Sequence, residues 1–281
     1  INYLLFSMKH LQLHKMVEPG PVLIDIPKDV QFANGTYTEK EKVIIPSHRL
    51  FEPEIFKNDE KINEVLNLIS KAKKPIFYIG GGCINSGPKA SELVAQLVEM
   101  TGAPATMTLM GLGVLGSSHP NSLGMLGMHG MYEANMAMHD CDVMINIGAR
   151  FDDRVTGRLD AFSPNSKKIH IDIDESNINK TIKVDVPVVG DVTSVLKRVV
   201  KTWKDNNLQT NESDLKLWWD KINNWKKIDC LHFTNNEKEI KPQYAIQRLY
   251  ELTKDKNTFI TTEVGQHQMW AAQYYKFEKP N

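Results

Sequence analysis

The chain has 281 residues, of which 41% are hydrophobic, and it carries 34 basic and 34 acidic side chains. This length predicts one large domain or two modest ones, and the charge balance argues against binding nucleic acid or a membrane surface through bulk electrostatics. No apolar run approaches the ~18 residues that a membrane span needs. Cys83, Cys141 and Cys230 show neither zinc-type nor redox CxxC spacing, so a reduced, cytosolic setting is expected.

The first part of the chain predicts two elements and a linker. Residues 1–16 have the apolar spacing of a helix, and the apolar run over residues 21–27 predicts a short parallel strand. Lys28 follows this strand and is either a solvated charge or part of a substrate mouth. Over residues 31–58 the periodicity fades, which predicts a linker and a domain boundary.

Alternating helices and strands are predicted for the middle of the chain. A helix begins at Asn58 or Asp59 and is followed by strands at PIFYIGGG, APATMTLMGLG, DVMINIG, KIHIDIDES and VPVVGD. Helices are expected at CINSGPKASELVAQLVEMTG, after the glycine-broken loop MLGMHG, and at VTSVLKRVV. This alternation predicts right-handed crossovers and an α/β fold with a central doubly wound parallel sheet, flanked by partial α/β domains.

Residues 202–240 break this rhythm. The helix DLKLWWDKINNW carries an apolar stripe, which we expect to dock on a neighbouring domain or subunit. Pro242 then begins a helix, TFITTEVG predicts a strand, and another helix begins near Gln266. Because one strand and two helices cannot bury a core alone, and because the chain begins with Ile1, we expect a fragment of a longer protein.

Four predicted strands end in residues that suit a ligand. These are Gly80–Gly82, the segment from Thr108, the segment from Gly148 to Arg154, and Asp172–Asp174. The carboxyl ends of parallel strands meet at one edge, where glycines admit a pyrophosphate, arginines pair with it and acids accept ribose hydroxyls. The pattern therefore predicts a site for an extended anionic ligand such as a dinucleotide. The alternative for each loop is a helix cap with a surface salt-bridge cluster.

Several other patterns are rejected. GLGVLG, residues 111–116, matches GxGxxG but is followed by the loop SSHPNS instead of a helix, and GCINSGPK lacks the lysine and hydroxyl of a phosphate loop. His129, Glu133 and His139 do not have the HExxH order, so no metal site is predicted.

The ordered strings GPVLIDIPKDVQ, YIGGGCINSG, TLMGLG, MLGMHGMYEANMAMHDCDVMINIGARFDDRVTGRL, HIDIDESNINKT, VVGD and TEVGQHQMWAAQYY resemble the large catalytic subunits of the acetolactate synthases. These are thiamine-diphosphate enzymes of branched-chain amino-acid synthesis. The resemblance covers nearly the whole chain from Gly20 onward. It implies the end of a pyrimidine-binding domain (1–32), a linker (33–58), a central FAD-binding domain (59–201), a helical linker (202–240) and the start of a diphosphate-binding domain (241–281).

The resemblance also implies site residues. FAD would contact Gly81, Gly82, Thr108, Leu109, Met128, His129, Gly130, Gly148, Ala149, Arg150, Asp152, Arg154, Asp172, Ile173, Asp174, Ile178, Gly190 and Asp191. Thiamine diphosphate would contact Val264, Gly265, Gln266 and His267. The substrate channel would include Lys28, Met128, Asp153 and Arg154. No catalytic residue or metal ligand is expected here, because the family's glutamate and its GDG-type Mg²⁺ motif belong to segments that this chain does not contain.

The implied reaction condenses two pyruvates, or pyruvate and 2-ketobutyrate, with loss of CO₂. A homodimer or tetramer with a small regulatory subunit is implied, in the cytoplasm or, in a eukaryote, in a plastid or mitochondrion. One departure is Glu18, where the family has an arginine that contacts FAD; it predicts weakened FAD binding, which a titration of Glu18→Arg tests. The alternatives are another thiamine-diphosphate enzyme, of the pyruvate oxidase and carboligase group, and a non-catalytic nucleotide-binding fragment.

Overall fold

A computed structural model describes residues 25–35, 58–236 and 238–280. The chain divides into two compact units, residues 1–54 and 55–281, each of which is described by itself. In the first unit, residues 25–27 form no strand and helix α1 spans Lys28–Phe32. The helix predicted over residues 1–16, the start of the strand predicted over 21–27, and Glu18 lie outside the described residues.

The second unit contains a six-stranded sheet in which every neighbouring pair is parallel. Its order is β3-β2-β1-β4-β5-β6, so the chain winds outward from β1 in one direction and then from β4 in the other. The strands are β1 Pro75–Ile79, β2 Ala105–Met107, β3 Ser122–Met125, β4 Val143–Ile147, β5 Lys167–Asp172 and β6 Val186–Val189. The predicted doubly wound parallel sheet is thereby confirmed.

Helices cover both faces of this sheet. The described helices of the second unit are α2 Asp59–Lys71, α3 Gly82–Asn85, α4 Pro88–Thr101, α5 Tyr132–Asp140, α6 Asp153–Thr156, α7 Val192–Asp205, α8 Glu212–Lys226, α9 Pro242–Thr253 and α10 Gln266–Tyr274. Helices α2, α4 and α7 pack on one face, and α5 and α8 pack on the other. None of the described helices has both the length and the apolar character required to cross a membrane.

The central strands are buried on both faces, as their continuous apolar sequences predict. Phe77 and Ile145 belong to the cluster with α2, α4 and α7, while Ile76 and Met144 belong to the cluster with α5 and α8. Successive strand residues therefore contribute to opposite cores.

Helix α8 packs on the second face of the sheet. Trp218 is 1% exposed, and its indole N–H donates to the Pro75 carbonyl oxygen at 3.0 Å. Ile222 is buried one turn further along. The apolar stripe predicted for this helix is thus covered by the central sheet of the same unit.

Three parts of this unit differ from the prediction: one strand is additional, one helix is divided and one strand is absent among the described residues. Strand β3 was not predicted, because its short SLGM sequence lies between glycines and a loop. The single helix predicted after Gly82 is two helices, since Gly87 has φ +94° and breaks the helical path before Pro88. The strand predicted at TFITTEVG is absent, because residues 258–263 have no neighbouring strand to pair with in the part of the chain that the structure describes.

Candidate functional site

The carboxyl ends of β1 and β4 meet at the point where the strand order reverses. Gly82 N–H donates to the Gly148 carbonyl oxygen at 2.9 Å. A Cβ at Gly82 would lie 2.8 Å from the Gly148 Cα, and one at Gly80 would overlap the Gly148 carbonyl oxygen. Gly80 and Gly82 are required because the two strand ends touch at Gly148. The sequence pattern instead predicts that these glycines leave space for a pyrophosphate. The strand order reverses here, and ligands of doubly wound folds bind outside the strand ends at such a reversal point.

The end of β2 lies beside β1 at the same edge. Thr108 N–H donates to the Ile79 carbonyl oxygen at 2.9 Å, and Leu109 begins a single 3₁₀ turn. The hydroxyl oxygen of Thr108 is buried and has no hydrogen-bond partner among the described residues. A buried hydroxyl without a partner is unfavourable unless a ligand or water supplies one, so Thr108 fits a ligand site.

The loop after β3 is held in place by three contacts. The Asn135 amide bonds both the N–H and the carbonyl of Gly127, at 2.8 and 2.9 Å. Met128 N–H donates to the Arg154 carbonyl oxygen at 2.9 Å, which joins this loop to the loop after β4. The side chains of Met128 and His129 remain exposed, and Gly130 folds back on Leu126. The structure thus brings together Met128 and Arg154, which were predicted to share a substrate channel.

Four charged side chains follow β4. Arg150 pairs with Asp152 at 3.3 Å and Arg154 pairs with Asp153 at 3.5 Å, and both arginine side chains are 72% exposed. The Asp152 carboxylate caps helix α6 by accepting from the Arg154 N–H. This bond, together with the nearby arginine charges, lowers the pKa of the Asp152 carboxyl. Both arginines can therefore pair with an anion, since their present ion pairs are exposed and weak.

The acids after β5 and β6 have structural roles. Asp172 is buried and accepts from Asp174 N–H at 2.8 Å, and Asp174 accepts from the Ser176 N–H and hydroxyl. Asp191 caps helix α7 by accepting from Ser194 N–H at 2.9 Å, and it also accepts from the Ser86 hydroxyl. These contacts agree with the helix-cap alternative for Asp174 and Asp191, and the second oxygen of Asp172 lies 3.5 Å from His170 Nε2.

The other predicted residues of this edge lie close to these acids. Gly190 N–H donates to the Asp172 carbonyl oxygen at 2.9 Å, and Gly148 N–H donates to the Ile171 carbonyl oxygen at 2.8 Å. Ile173 and Ile178 are half-buried beside the acids. The strand ends from β2 to β6 therefore form one continuous edge.

The residues predicted to contact thiamine diphosphate are at the start of helix α10. Gly265 precedes the helix, Gln266 is its first residue, and Val264 and His267 are exposed beside it. Near the other end of this helix, the Gln273 side-chain amide donates to the His129 carbonyl oxygen at 2.8 Å. Gln266 and Gln273 are seven residues apart, which at 1.5 Å per residue is about 10 Å along the helix. The residues assigned to thiamine diphosphate and the contact with His129 are therefore about 10 Å apart along α10.

Lys28 belongs to the first unit. It is exposed, begins helix α1, and its ammonium lies 5.8 Å from the centre of the Phe32 ring. Its place in a substrate channel stays a prediction.

Three buried polar residues at this edge were not predicted from the sequence. Tyr78, Asn146 and His170 are 0% exposed, and all three bond the backbone of Ala149 or Arg150. Polar side chains within the otherwise apolar strands PIFYI, VMINI and KIHID could have identified them. No cluster of three metal-ligating side chains occurs within residues 25–35, 58–236 and 238–280.

Comparison with known proteins identifies relatives of this chain. Residues 62–199 match the family described as thiamine pyrophosphate enzyme, central domain. The chain is 44% identical over 265 residues to the acetolactate synthase large subunit of Buchnera aphidicola subsp. Schizaphis graminum (strain Sg), an alignment that covers 93% of this chain and 45% of that protein.

Two further relatives agree. Identity is 41% over 264 residues with the acetolactate synthase isozyme 3 large subunit of Escherichia coli (strain K12), covering 93% of this chain and 45% of that protein. Identity is 42% over 264 residues with the chloroplastic acetolactate synthase of Arabidopsis thaliana, covering 93% of this chain and 38% of that protein. The chain thus spans less than half the length of these relatives.

Proposed function

We propose that the chain is part of an acetolactate synthase large subunit, because residues 62–199 match the thiamine pyrophosphate enzyme central domain. The proposed reaction condenses two pyruvates, or pyruvate and 2-ketobutyrate, with loss of CO₂. The observation that carries the proposal is identity of 41–44% to such subunits over 93% of the chain. We also propose the assembly and location expected from the sequence: a dimer or tetramer with a small regulatory subunit, in the cytoplasm or an organelle.

FAD is the proposed ligand of the carboxyl edge of the sheet. Three observations support it: the reversal of strand order between β1 and β4, the unpartnered hydroxyl of Thr108 and the exposed side chains of Arg150 and Arg154. The arginines would pair with the pyrophosphate, while the protein would hold the flavin without using it for electron transfer.

Thiamine diphosphate is the proposed cofactor of the exposed start of helix α10, where Val264, Gly265, Gln266 and His267 would contact it. When bound it supplies an electron sink for decarboxylation, and the protein orients it and excludes water. Mg²⁺ would accompany this cofactor through ligands other than the residues assigned here.

FAD binding can be tested on the 281-residue chain. Purified protein is titrated with FAD, and quenching of flavin fluorescence reports the Kd. Arg150→Ala and Arg154→Ala should each raise the Kd by about tenfold, because each removes a charge-assisted bond. Arg158→Ala is the matched control, since Arg158 is equally exposed in the same segment and pairs with Asp160, outside the proposed set.

The reaction is tested separately, by assaying acetolactate formation from pyruvate. The isolated chain is expected to bind FAD without turnover, while the longer protein that contains this sequence should produce acetolactate. A different product would favour the pyruvate oxidase and carboligase group. A wild-type chain that binds no FAD would refute the proposed flavin site.

A further inference from the structure

Tyr78, Asn146 and His170 form a row across three neighbouring strands. Tyr78 in β1 is the register partner of Asn146 in β4, which is the register partner of His170 in β5. All three are 0% exposed, although each carries polar atoms. A buried polar group without a hydrogen bond is unfavourable, so these three side chains need partners inside the protein. The backbone groups that serve as partners are thereby held in place.

The polar atoms of this row converge on two consecutive carbonyl groups. The Ala149 carbonyl oxygen accepts from the Asn146 amide at 2.7 Å and from His170 Nε2 at 3.1 Å. The Arg150 carbonyl oxygen accepts from the Tyr78 hydroxyl at 2.9 Å. Asn146 closes the turn by accepting from Ala149 N–H at 3.1 Å. The first two residues after the Gly148 turn are thus fixed by side chains from three strands.

An aromatic ring shields these bonds. Phe151 is 5% exposed, and its ring centre lies 5.9 Å from that of Tyr78 and 5.1 Å from that of His170. Burial, followed by the charge of Asp152, raises the pKa of Tyr78 above its ordinary value, so its hydroxyl stays protonated as a donor. Because a carbonyl oxygen only accepts, His170 donates through Nε2, and its Nδ1 is buried without a partner among the described residues.

The orientation of the peptide after Ala149 follows from these bonds. In a trans peptide the carbonyl and the following N–H point in opposite directions. Since the Ala149 carbonyl is held toward the buried row, the Arg150 N–H points away from it. A backbone N–H at the reversal point of the sheet, next to an exposed guanidinium group, is a suitable donor for a phosphate.

We propose that Tyr78, Asn146 and His170 are positioning residues, which hold the Ala149 and Arg150 carbonyls inward and so present the Arg150 N–H and side chain to the pyrophosphate of the bound ligand. This inference rests on the proposed function. The competing explanation is that the row only stabilises the core. If the three residues are positioning residues, removing a bond should raise the FAD Kd and loosen residues 149–152. If they only stabilise the core, the Tm should fall while the FAD Kd stays the same.

The experiment uses variants of the 281-residue chain. Tyr78→Phe removes only the hydroxyl. His170→Leu removes the donor to Ala149, and His170→Gln restores a side-chain N–H. Thr106→Val is the matched control: Thr106 is the register partner of Tyr78 on its other side, is equally buried, and donates to the Gly124 carbonyl oxygen instead. Each protein is measured for thermal unfolding, FAD Kd and amide hydrogen exchange of residues 149–152 without ligand.

We expect Tyr78→Phe and His170→Leu to raise the FAD Kd about three- to tenfold, the change that one hydrogen bond supplies, and to speed exchange of residues 149–152. His170→Gln should recover part of the FAD affinity and part of the exchange protection of residues 149–152. Thr106→Val should change only the Tm. Lowered Tm values with unchanged FAD Kd and exchange would overturn the inference. If the wild-type chain binds no FAD, the proposed flavin site fails. Faster exchange in the two variants would then still support the positioning of residues 149–152, and unchanged exchange would refute it.

Discussion

Gly113 and Lys279 pack backbone against backbone. A Cβ at Gly113, which has φ +87°, would overlap the Lys279 carbonyl oxygen. The segments on either side are also joined: Ser117 N–H donates to the Phe277 carbonyl oxygen at 2.9 Å, and the Ser118 hydroxyl donates to Glu278 at 2.7 Å. Gly113 and Gly116 therefore accommodate residues 277–280, while Gly111 packs against Ile79 and Gly80, which gives a physical reason for the motif other than dinucleotide binding.

Gly113→Ala should lower the free energy of unfolding by about 2–4 kcal/mol, because the positive φ and the overlap with Lys279 both oppose a side chain. Gly87→Ala is the matched control. Gly87 also has a positive φ of +94°, but a Cβ there would meet nothing within 4 Å, so a loss of about 1–2 kcal/mol is expected. Urea unfolding measures the free energy of unfolding of both variants. Limited proteolysis should release the end of the chain in Gly113→Ala and leave it attached in Gly87→Ala. Equal losses for the two variants would show that the contact with Lys279 contributes nothing.

The sheet and the residue types at its carboxyl edge were predictable from the sequence, because both depend on local patterns. Five buried apolar runs indicated strands, and the glycines and charges after them indicated their carboxyl ends. The α/β class follows from alternation alone, and the parallel sheet confirms it. The acids were less predictable, since the same residue types that suit a ribose also cap helices, as Asp191 does.

The remaining differences come from tertiary contacts. Strand β3 has too few apolar residues to be identified alone, and it exists because β2 provides a partner. TFITTEVG has a strand-forming composition but no partner within the described residues. The roles of Tyr78 and His170 depend on register across strands far apart in the chain, so their sequence positions alone could not show that both bond the Ala149–Arg150 segment.

Trp218 should be essential for attaching helix α8 to the sheet. Trp218→Ala is expected to destabilise the protein by about 3–5 kcal/mol, because it removes a buried indole and the bond to the Pro75 carbonyl. Leu217→Ala, at the neighbouring position that is 68% exposed, should change stability by less than about 0.5 kcal/mol. Denaturant unfolding compares the two variants. A small effect of Trp218→Ala would mean that α8 contributes little to the core.

The cysteines should differ sharply in reactivity. Burial raises the pKa of Cys83 to about 12 and that of Cys141 to about 11, so both stay protonated and unreactive near neutral pH. Cys230 is exposed. A thiol reagent should therefore modify one cysteine rapidly in the folded chain and the other two only after denaturation. Rapid reaction of Cys83 in the folded chain would indicate that the end of β1 opens, contrary to the packing of Gly82 on Gly148.

Asp140 should make stability depend on pH below about 4. Its carboxylate lies 2.7 Å from the Lys221 ammonium on α8 and 3.3 Å from that of Lys74. Partial burial opposes the charged form, but the two lysines outweigh it and lower the pKa of Asp140 below its ordinary 3.8. A carboxyl whose pKa is lower in the folded state contributes stability above its unfolded-state pKa, and this contribution is lost as the pH falls through the folded-state pKa.

The wild-type protein should consequently exceed Asp140→Asn in Tm at neutral pH. The difference should shrink progressively as the pH falls below about 4 and the Asp140 carboxyl becomes protonated. At neutral pH we expect a loss of about 1 kcal/mol, the upper end for a pair that is not deeply buried. Asp220→Asn is the control on α8, the helix that carries Lys221, because Asp220 pairs with Lys216 at 2.9 Å while remaining 56% exposed. It should have little effect at any pH. A Tm difference for Asp140→Asn that stays constant from pH 7 to about pH 3 would contradict this electrostatic role, and would assign the effect to packing at the end of α5.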